Sequence, residues 1–452
     1  MMLLRPTFMI SAISFCVFSV ISAFSAEQSF DVISNKKAGI TVSAIKPGAT
    51  LLSTIQSNDN NASSISPDGK LVSFYAGVTD DPILQYSQVY VRAFSGGDTK
   101  IISTSSSNDI GNYPSFGGQF LTESKIVFTS AAGNLTQNST LGVYQIYLKD
   151  LNTGQTSLVS QSESGQAGNS SVDTFSVSRS GKCIAYTSSA SNIYGADLNN
   201  KKDVFLYDLG TQKSKIVSTT QSGAQGNGDS YSPFPSDDCR TVIFSSNSTN
   251  FPGGAANSIP NLFLKNVKTG SLERLLSSFD SKDINGAAEQ PILSSDGRSI
   301  LFQSLATNLS KSTVTPGWNV YIYNIKEKKT DIVSTNGNKV PFNNWSFNAG
   351  FLGNSSNLVM FYSMATNVSN FADINTWDQY GTDLFLKDLN SNQIFRLSVG
   401  IYGQINRQVD FQATTISPRN GSTVIFSTRA SNVVDGDAND HRDLFWVGIK
   451  TK

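Results

Sequence analysis

The sequence predicts an all-β fold, a seven-bladed β-propeller of four-stranded antiparallel blades whose last blade is closed by an N-terminal strand. Three repeating observations predict it. An aromatic ends a β-rich triplet at Phe74, Phe128, Tyr186, Phe244, Phe302, Phe361 and Phe426, at intervals of 54, 58, 58, 58, 59 and 65 residues. A polar residue opens the next apolar run at Gln88, Gln145, Asp203, Asn261, Asn319, Asp383 and Asp443, and a second aromatic follows two positions later each time. Short apolar segments then end at Ser103, Ser160, Ser218, Ser277, Ser334 and Ser398. Self-similarity at such a period marks an array of supersecondary units.

Each unit reads as four strands. The first ends near a tight turn such as "SPDGK" (66–70), "SRSGK" (178–182) or "SSDGR" (294–298). The second carries the anchoring aromatic, the third is like "DVFLYDL" (203–209), and the fourth ends in the serine. Short β-branched and aromatic runs separated by Gly, Asn and Asp suit an antiparallel meander. The seventh unit stops after its third strand, and the expected closing strand is "LLST" (51–54), within a closing region of about 40–55. Pairing the two termini removes an exposed edge. "ITVSAI" (40–45) is left without a place.

The N-terminus reads as a secretory signal over residues 1–26, with Arg5 before the apolar run "FMISAISFCVFSVISAF". Cleavage is expected after Ala26 or Ser25, and an uncleaved anchor is the alternative. Residues 27–452 are expected to form a single propeller domain, exported to the periplasm or the cell exterior. The 34 basic and 34 acidic side chains cancel, so no net charge steers the chain to nucleic acid. Beyond the leader, two cysteines remain, Cys183 and Cys239, at corresponding places in adjacent units, and an oxidising compartment allows them to pair. Too few soft ligands exist for a structural zinc site.

The units resemble the PD40 (WD40-like) β-propeller repeats of the bacterial translocation protein TolB's propeller and of many secreted bacterial propellers. The carrying residues are "SPDGKLVSF", "SSDGRSILF" and "TSSASNIYGADLNNKKDVFLYDLGTQKSKIVS", and the resemblance covers about residues 40–452. It is specific for fold and poorly specific for function. TolB also carries a separate N-terminal α/β domain, for which residues 27–60 leave no room, so its role does not carry over.

In a four-stranded blade, turns one-to-two and three-to-four share one face of the ring. Loops two-to-three and the blade-to-blade connections share the other. The second set is long and varied here, so functional residues are expected on that long-loop face. Three of its loops alternate oxygen-bearing side chains: Asp197, Asn199 and Asp203; Asp373, Asn375 and Asp383; Asp437, Asn439 and Asp443. Calcium takes such oxygen donors. The competing reading is turn chemistry, since Gln88, Asn261 and Asn319 fill the same position without an acidic set.

Asp173, Asp229, Glu289 and Asp410 lie near the starts of the innermost strands and are expected at the channel mouth. A glycoside-cleaving site would need two such carboxylates facing a sugar. His441 reads as a surface residue, and no GxSxG nucleophile elbow occurs. Asn134, Asn247 and Asn308 begin Asn-x-Ser/Thr triplets. Two functions stay open. One is a non-enzymatic scaffold that binds a protein or glycan through the long-loop face. The other is a carbohydrate-active hydrolase or lyase working at the channel mouth, and Trp345 and Trp377 suit either.

Overall fold

The computed structural model describes residues 40–43, 61–77, 86–96, 98–195, 197–254, 258–368, 381–400, 403–405, 407–415, 421, 423–431, 433 and 442–451. Its sheets are antiparallel. Six blades are each built of four consecutive strands, over 61–101, 115–158, 172–216, 230–274, 288–332 and 346–396. They are numbered here one to six. Strands Val409–Thr415, Thr423–Thr428 and Asp443–Thr451 form a further sheet, with Ile40–Ser43 as its fourth member.

The expectation of a seven-bladed propeller is therefore corrected to six blades. Six blades follow the repeat, and the last three C-terminal strands make a composite sheet only by recruiting a strand from the other end of the chain. A two-stranded sheet, Val399–Gly400 with Gly403–Gln404, precedes that composite. The long last interval between anchors, 65 residues, supplies the chain for it. The strand that joins the two ends lies at the start of the expected closing region of about 40–55. Ile40–Ser43 pairs antiparallel with the C-terminal strand, Ile40 opposite Thr451 and Ser43 opposite Gly448. The expected closing segment, 51–54, lies outside the described residues, as does the expected signal segment, 1–26.

The period has a packing cause. In every four-stranded sheet the anchor aromatic stands directly opposite the second aromatic, as in Phe74 with Tyr90, Tyr186 with Phe205 and Phe426 with Phe445. Ring centroids of these pairs lie 5.3 to 6.1 Å apart. Cross-strand aromatic pairs stabilise a sheet beyond the area they bury.

Neighbouring sheets share apolar clusters. Val89 and Val91 of blade one meet Phe120, Ile126 and Phe128 of blade two. Ile425 and Leu444 of the composite sheet meet Val72 and Phe74 of blade one, which closes the ring. A middle strand is thus covered on both faces, so Cys183–Ser188 is buried throughout and its sequence does not alternate.

The inner strands line the channel, and each carries an irregularity in its pairing. Three blades put a non-glycine residue in the left-handed region there: Ser232 at φ 51°, Gln290 at 52° and Asn348 at 48°. Such bulges bend a strand and re-aim its side chains.

Candidate functional site

The polar residue that opens the third strand is a latch. Ser103 Oγ donates to Gln88 Oε1 at 2.6 Å, and Ser160 Oγ donates to Gln145 Oε1 at 2.6 Å. Each glutamine then donates from Nε2 to a carbonyl of the next blade-to-blade connection, Gly111 O at 2.9 Å and Gly168 O at 2.8 Å. One side chain thus ties the third strand, the fourth strand and the connecting loop.

Aspartate lacks the amide donor, and blade three restores it. Ser218 Oγ donates to Asp203 Oδ1 at 2.5 Å, while Asn199 Nδ2 lies 3.0 Å from both Asp203 Oδ2 and Gly226 O. Gly226 stands where Gly111 and Gly168 stand in the earlier blades. The Asp197/Asn199/Asp203 set therefore rebuilds a glutamine from two residues, with the Asn199 amide between two oxygens. Asp197 serves the turn, accepting from Asn199 N at 3.1 Å. In blade six, Asp383 accepts from Ser398 Oγ at 2.6 Å and pairs with the buried Arg396 at 3.4 Å. Asp443 is buried. Asp373, Asn375, Asp437, Asn439, Trp377 and His441 lie outside the described residues. Among the described residues, no group of three or more His, Cys, Asp or Glu side chains comes together as a ligand set.

Burial raises the Asp203 carboxyl to about 6, against the hydrogen bonds from Ser218 and Asn199 and with Asp197 and Asp229 adding to the rise. An unfolded aspartate titrates near 4. Between about pH 4 and 6 the folded chain holds a proton that the unfolded chain has released, so this contribution is full below 4 and lost as pH rises through 6. Asp203→Gln with Asn199→Ala, which returns the latch to the single amide of blades one and two, is expected to match the parent near pH 4 and to exceed it by about 1 to 2 kcal/mol at pH 7.5. Urea unfolding at both pH values checks this. A loss of stability at pH 7.5 would instead mark the carboxylate as the required form.

The long-loop face holds a second device that sequence reading missed. Asn169 N donates to Asn192 Oδ1 at 2.8 Å, Ser191 N donates to Asn169 Oδ1 at 2.9 Å, and Asn192 Nδ2 reaches Ala167 O at 2.9 Å. The same clasp joins Asn112 to Asn134, Asn227 to Asn250, Asn285 to Asn308 and Asn343 to Asn367. Each binds a blade-to-blade connection to the two-to-three loop of the following blade. Asn134 and Asn308 are spent in it, which gives the asparagine-rich loops a structural purpose. The signal was a pair of asparagines 22 to 24 residues apart, one in each loop.

Three of the four acids expected at the channel mouth have a partner. Asp173 Oδ2 lies 2.9 Å from Lys202 Nζ, and Asp229 Oδ1 accepts from Lys202 N at 3.0 Å. Tyr231 OH donates to Glu289 Oε1 at 3.3 Å, and burial raises the Glu289 carboxyl. Asp410 occupies the inner strand of the composite sheet, opposite Ser427.

Blade boundaries are bolted by buried cations. Lys149, Lys265 and Lys387 occupy one position of the third strand in blades two, four and six, and all are buried. Lys387 Nζ donates to Val333 O at 2.9 Å, Thr335 O at 2.8 Å and Thr335 Oγ1 at 2.5 Å, all of the preceding blade's end. Lys149 and Lys265 reach Thr104 and Thr219 in the same way. On the turn face, Cys183 and Cys239 form a disulfide between blades three and four, with Cα atoms 6.1 Å apart.

Exposed apolar side chains separate the two faces. Among the described residues, the large exposed ones are Leu141, Tyr194, Leu198, Phe279, Leu305, Val340 and Trp345. Every one lies in a two-to-three loop or a blade-to-blade connection, hence on the long-loop face. The turn face instead presents charges such as Lys70 with Asp68 and Lys328 with Glu273. Leu198 is 82% exposed, and Trp345, at 46%, is held in place. Its indole lies where a Cβ on Gly317 would be, and Gly317 has φ +126°. Trp345 N donates to Asn344 Oδ1 at 2.8 Å, and its carbonyl accepts from Met364 N at 3.0 Å.

No family model matches the chain, and no curated protein matches it. Solved structures do. An oligogalacturonate lyase in complex with manganese is 13% identical, with a TM-score of 0.52 over 91% of this chain and 94% of its own. The oligogalacturonate lyase of Vibrio parahaemolyticus is 12% identical, with a TM-score of 0.52 over 92% and 94%. TolB from Acinetobacter baumannii is 18% identical, with a TM-score of 0.41 over 73% of this chain, which spans 64% of that one. The chain is a propeller with TolB-like and lyase neighbours. At these identities the likeness is one of fold, and function has to be argued from the two faces and the channel.

Proposed function

We propose that the chain is an exported, non-enzymatic propeller scaffold that binds a protein or glycan partner through its long-loop face. The observation that carries this reading is the confinement, among the described residues, of the large exposed apolar side chains to that face. Contiguous apolar surface costs solubility and marks interaction sites. Trp345 adds a rigid aromatic, which loses little conformational freedom on contact. The Asn clasps support the same reading, because loops tied to one another need less ordering when a partner docks. The disulfide supports an oxidising compartment, and so a leader over 1–26 ahead of one domain over 27–452.

The carbohydrate-cleaving alternative finds less support, because Asp173, Asp229 and Glu289 are each held by Lys202 or Tyr231. The test is capture of a defined partner from native envelope extract. Leu198→Glu with Trp345→Ala is expected to abolish capture, and Lys70→Glu with Arg240→Glu to leave it intact. Capture unchanged by a chelator would count against a calcium needed for binding. Loss in the turn-face pair alone would contradict the proposal.

A further inference from the structure

The inner strands enclose a space that the long-loop reading does not use. It lies at the turn-face end of the channel and has a volume of about 410 Å³. Gln119, Ser232 and Gln290 line its inner part, and Phe175, Phe234 and Ile292, one or two residues further along the inner strands or on a neighbouring one, make an apolar wall. These three apolar side chains are half-buried, so each turns part of its surface to the space. A cavity of this size with an apolar wall and a few polar groups has the form of a small-molecule site.

Among the described residues, Arg179 is the single ionisable one of that wall. It follows the inner strand of blade three and reaches past blade four. Its guanidinium lies over the Phe234 ring, 5.5 Å from the centroid, and Nη2 donates to Leu293 O of blade five at 2.7 Å. Burial disfavours its charged form, and Asp237, on the turn after blade four's inner strand, opposes that effect. Asp237 is not part of the wall, and the described residues that line the space include no carboxylate. A guanidinium on an apolar wall is matched by a planar carboxylate, which it can bind through two parallel hydrogen bonds.

We propose that this space is a binding site for a small aromatic carboxylate, its ring against Phe175 and Phe234 and its carboxylate on Arg179. The aromatic side chains select a ring, since aromatic pairs gain energy beyond their buried area. The glutamines offer hydrogen bonds to polar substituents at the ring's far end.

Benzoate and its uncharged analogue benzamide test this on the full mature chain by calorimetric titration. Benzoate is expected to bind saturably, with benzamide at least about tenfold weaker, as loss of a charge-assisted bond implies. Arg179→Gln is expected to bring benzoate down to the benzamide level, and Ile292→Trp, which fills the space, to remove both. Equal affinities for the two probes, no saturable benzoate binding at millimolar concentration, or an Arg179→Gln chain that keeps full benzoate affinity would each overturn the proposal. The two-probe comparison on the unaltered chain decides the matter even where a variant does not fold.

Discussion

Replacement of both Cys183 and Cys239 with alanine is expected to lower the unfolding free energy by about 4 kcal/mol, the chain-entropy value for a closed loop of this length. The two residues are 56 apart in sequence and belong to neighbouring blades. Cys183 opens a middle strand and is fully buried, whereas Cys239 closes the turn after blade four's inner strand at φ 58°. The bond therefore restrains the unfolded chain across one whole repeat. Denaturant unfolding of the double variant beside the parent, each with and without reductant, measures the effect. The parent under reductant should fall to the variant's stability, and the variant should ignore reductant. A variant as stable as the oxidised parent would show that the blade interface alone holds the two units.

The second large effect concerns Lys387. Its amine faces three oxygens of the preceding blade, the Val333 and Thr335 carbonyls and the Thr335 hydroxyl. Burial, with a smaller contribution from Lys339, pulls its ionisation down to about 7 from an ordinary value above 10. Between about pH 7 and 10 the unfolded chain holds a proton that the folded chain has released. Stability from this group therefore rises with pH across that window, and the desolvation cost is fully present below it. Lys387→Met leaves the three oxygens without their donor, at a cost of about 2 to 3 kcal/mol near pH 9. The gap to the parent should narrow toward pH 6, where the parent bears the buried charge. Unfolding curves at pH 6, 8 and 9.5 read this directly. A gap that widens toward pH 6 would mean that the ammonium is the stabilising form.

How much of this was legible in the sequence differs from element to element. The aromatic period was legible because each anchor has a fixed partner across one strand pair, so the two recur at a constant offset. The serine at the end of the fourth strand was legible for the same reason, being the partner of the latch except in blade four, where Asn261 holds the Leu276 backbone instead. The closing strand was not, since "ITVS" and "LLST" are alike in length and composition and only pairing with residues 448–451 separates them. The Asp/Asn loops suggested calcium because sequence shows oxygens and not what sits between them. In blade three that is the Asn199 amide. Lys149, Lys265 and Lys387 drew no reading from the sequence, since nothing local to them shows the preceding blade's oxygens that they reach. Arg179 sat inside a tight-turn motif, and its carbonyl partner lies 114 residues away, two blades on.

The central claim is that partners meet the long-loop face. Site-specific photo-crosslinking in the native host tests it most directly, with the crosslinker placed in turn at Leu198, Leu141 and Tyr194, and on the turn face at Lys70, Arg240 and Lys328. The account predicts a common adduct from the long-loop positions and none from the turn positions. The same adduct from the turn positions, with the long-loop positions silent, would contradict it.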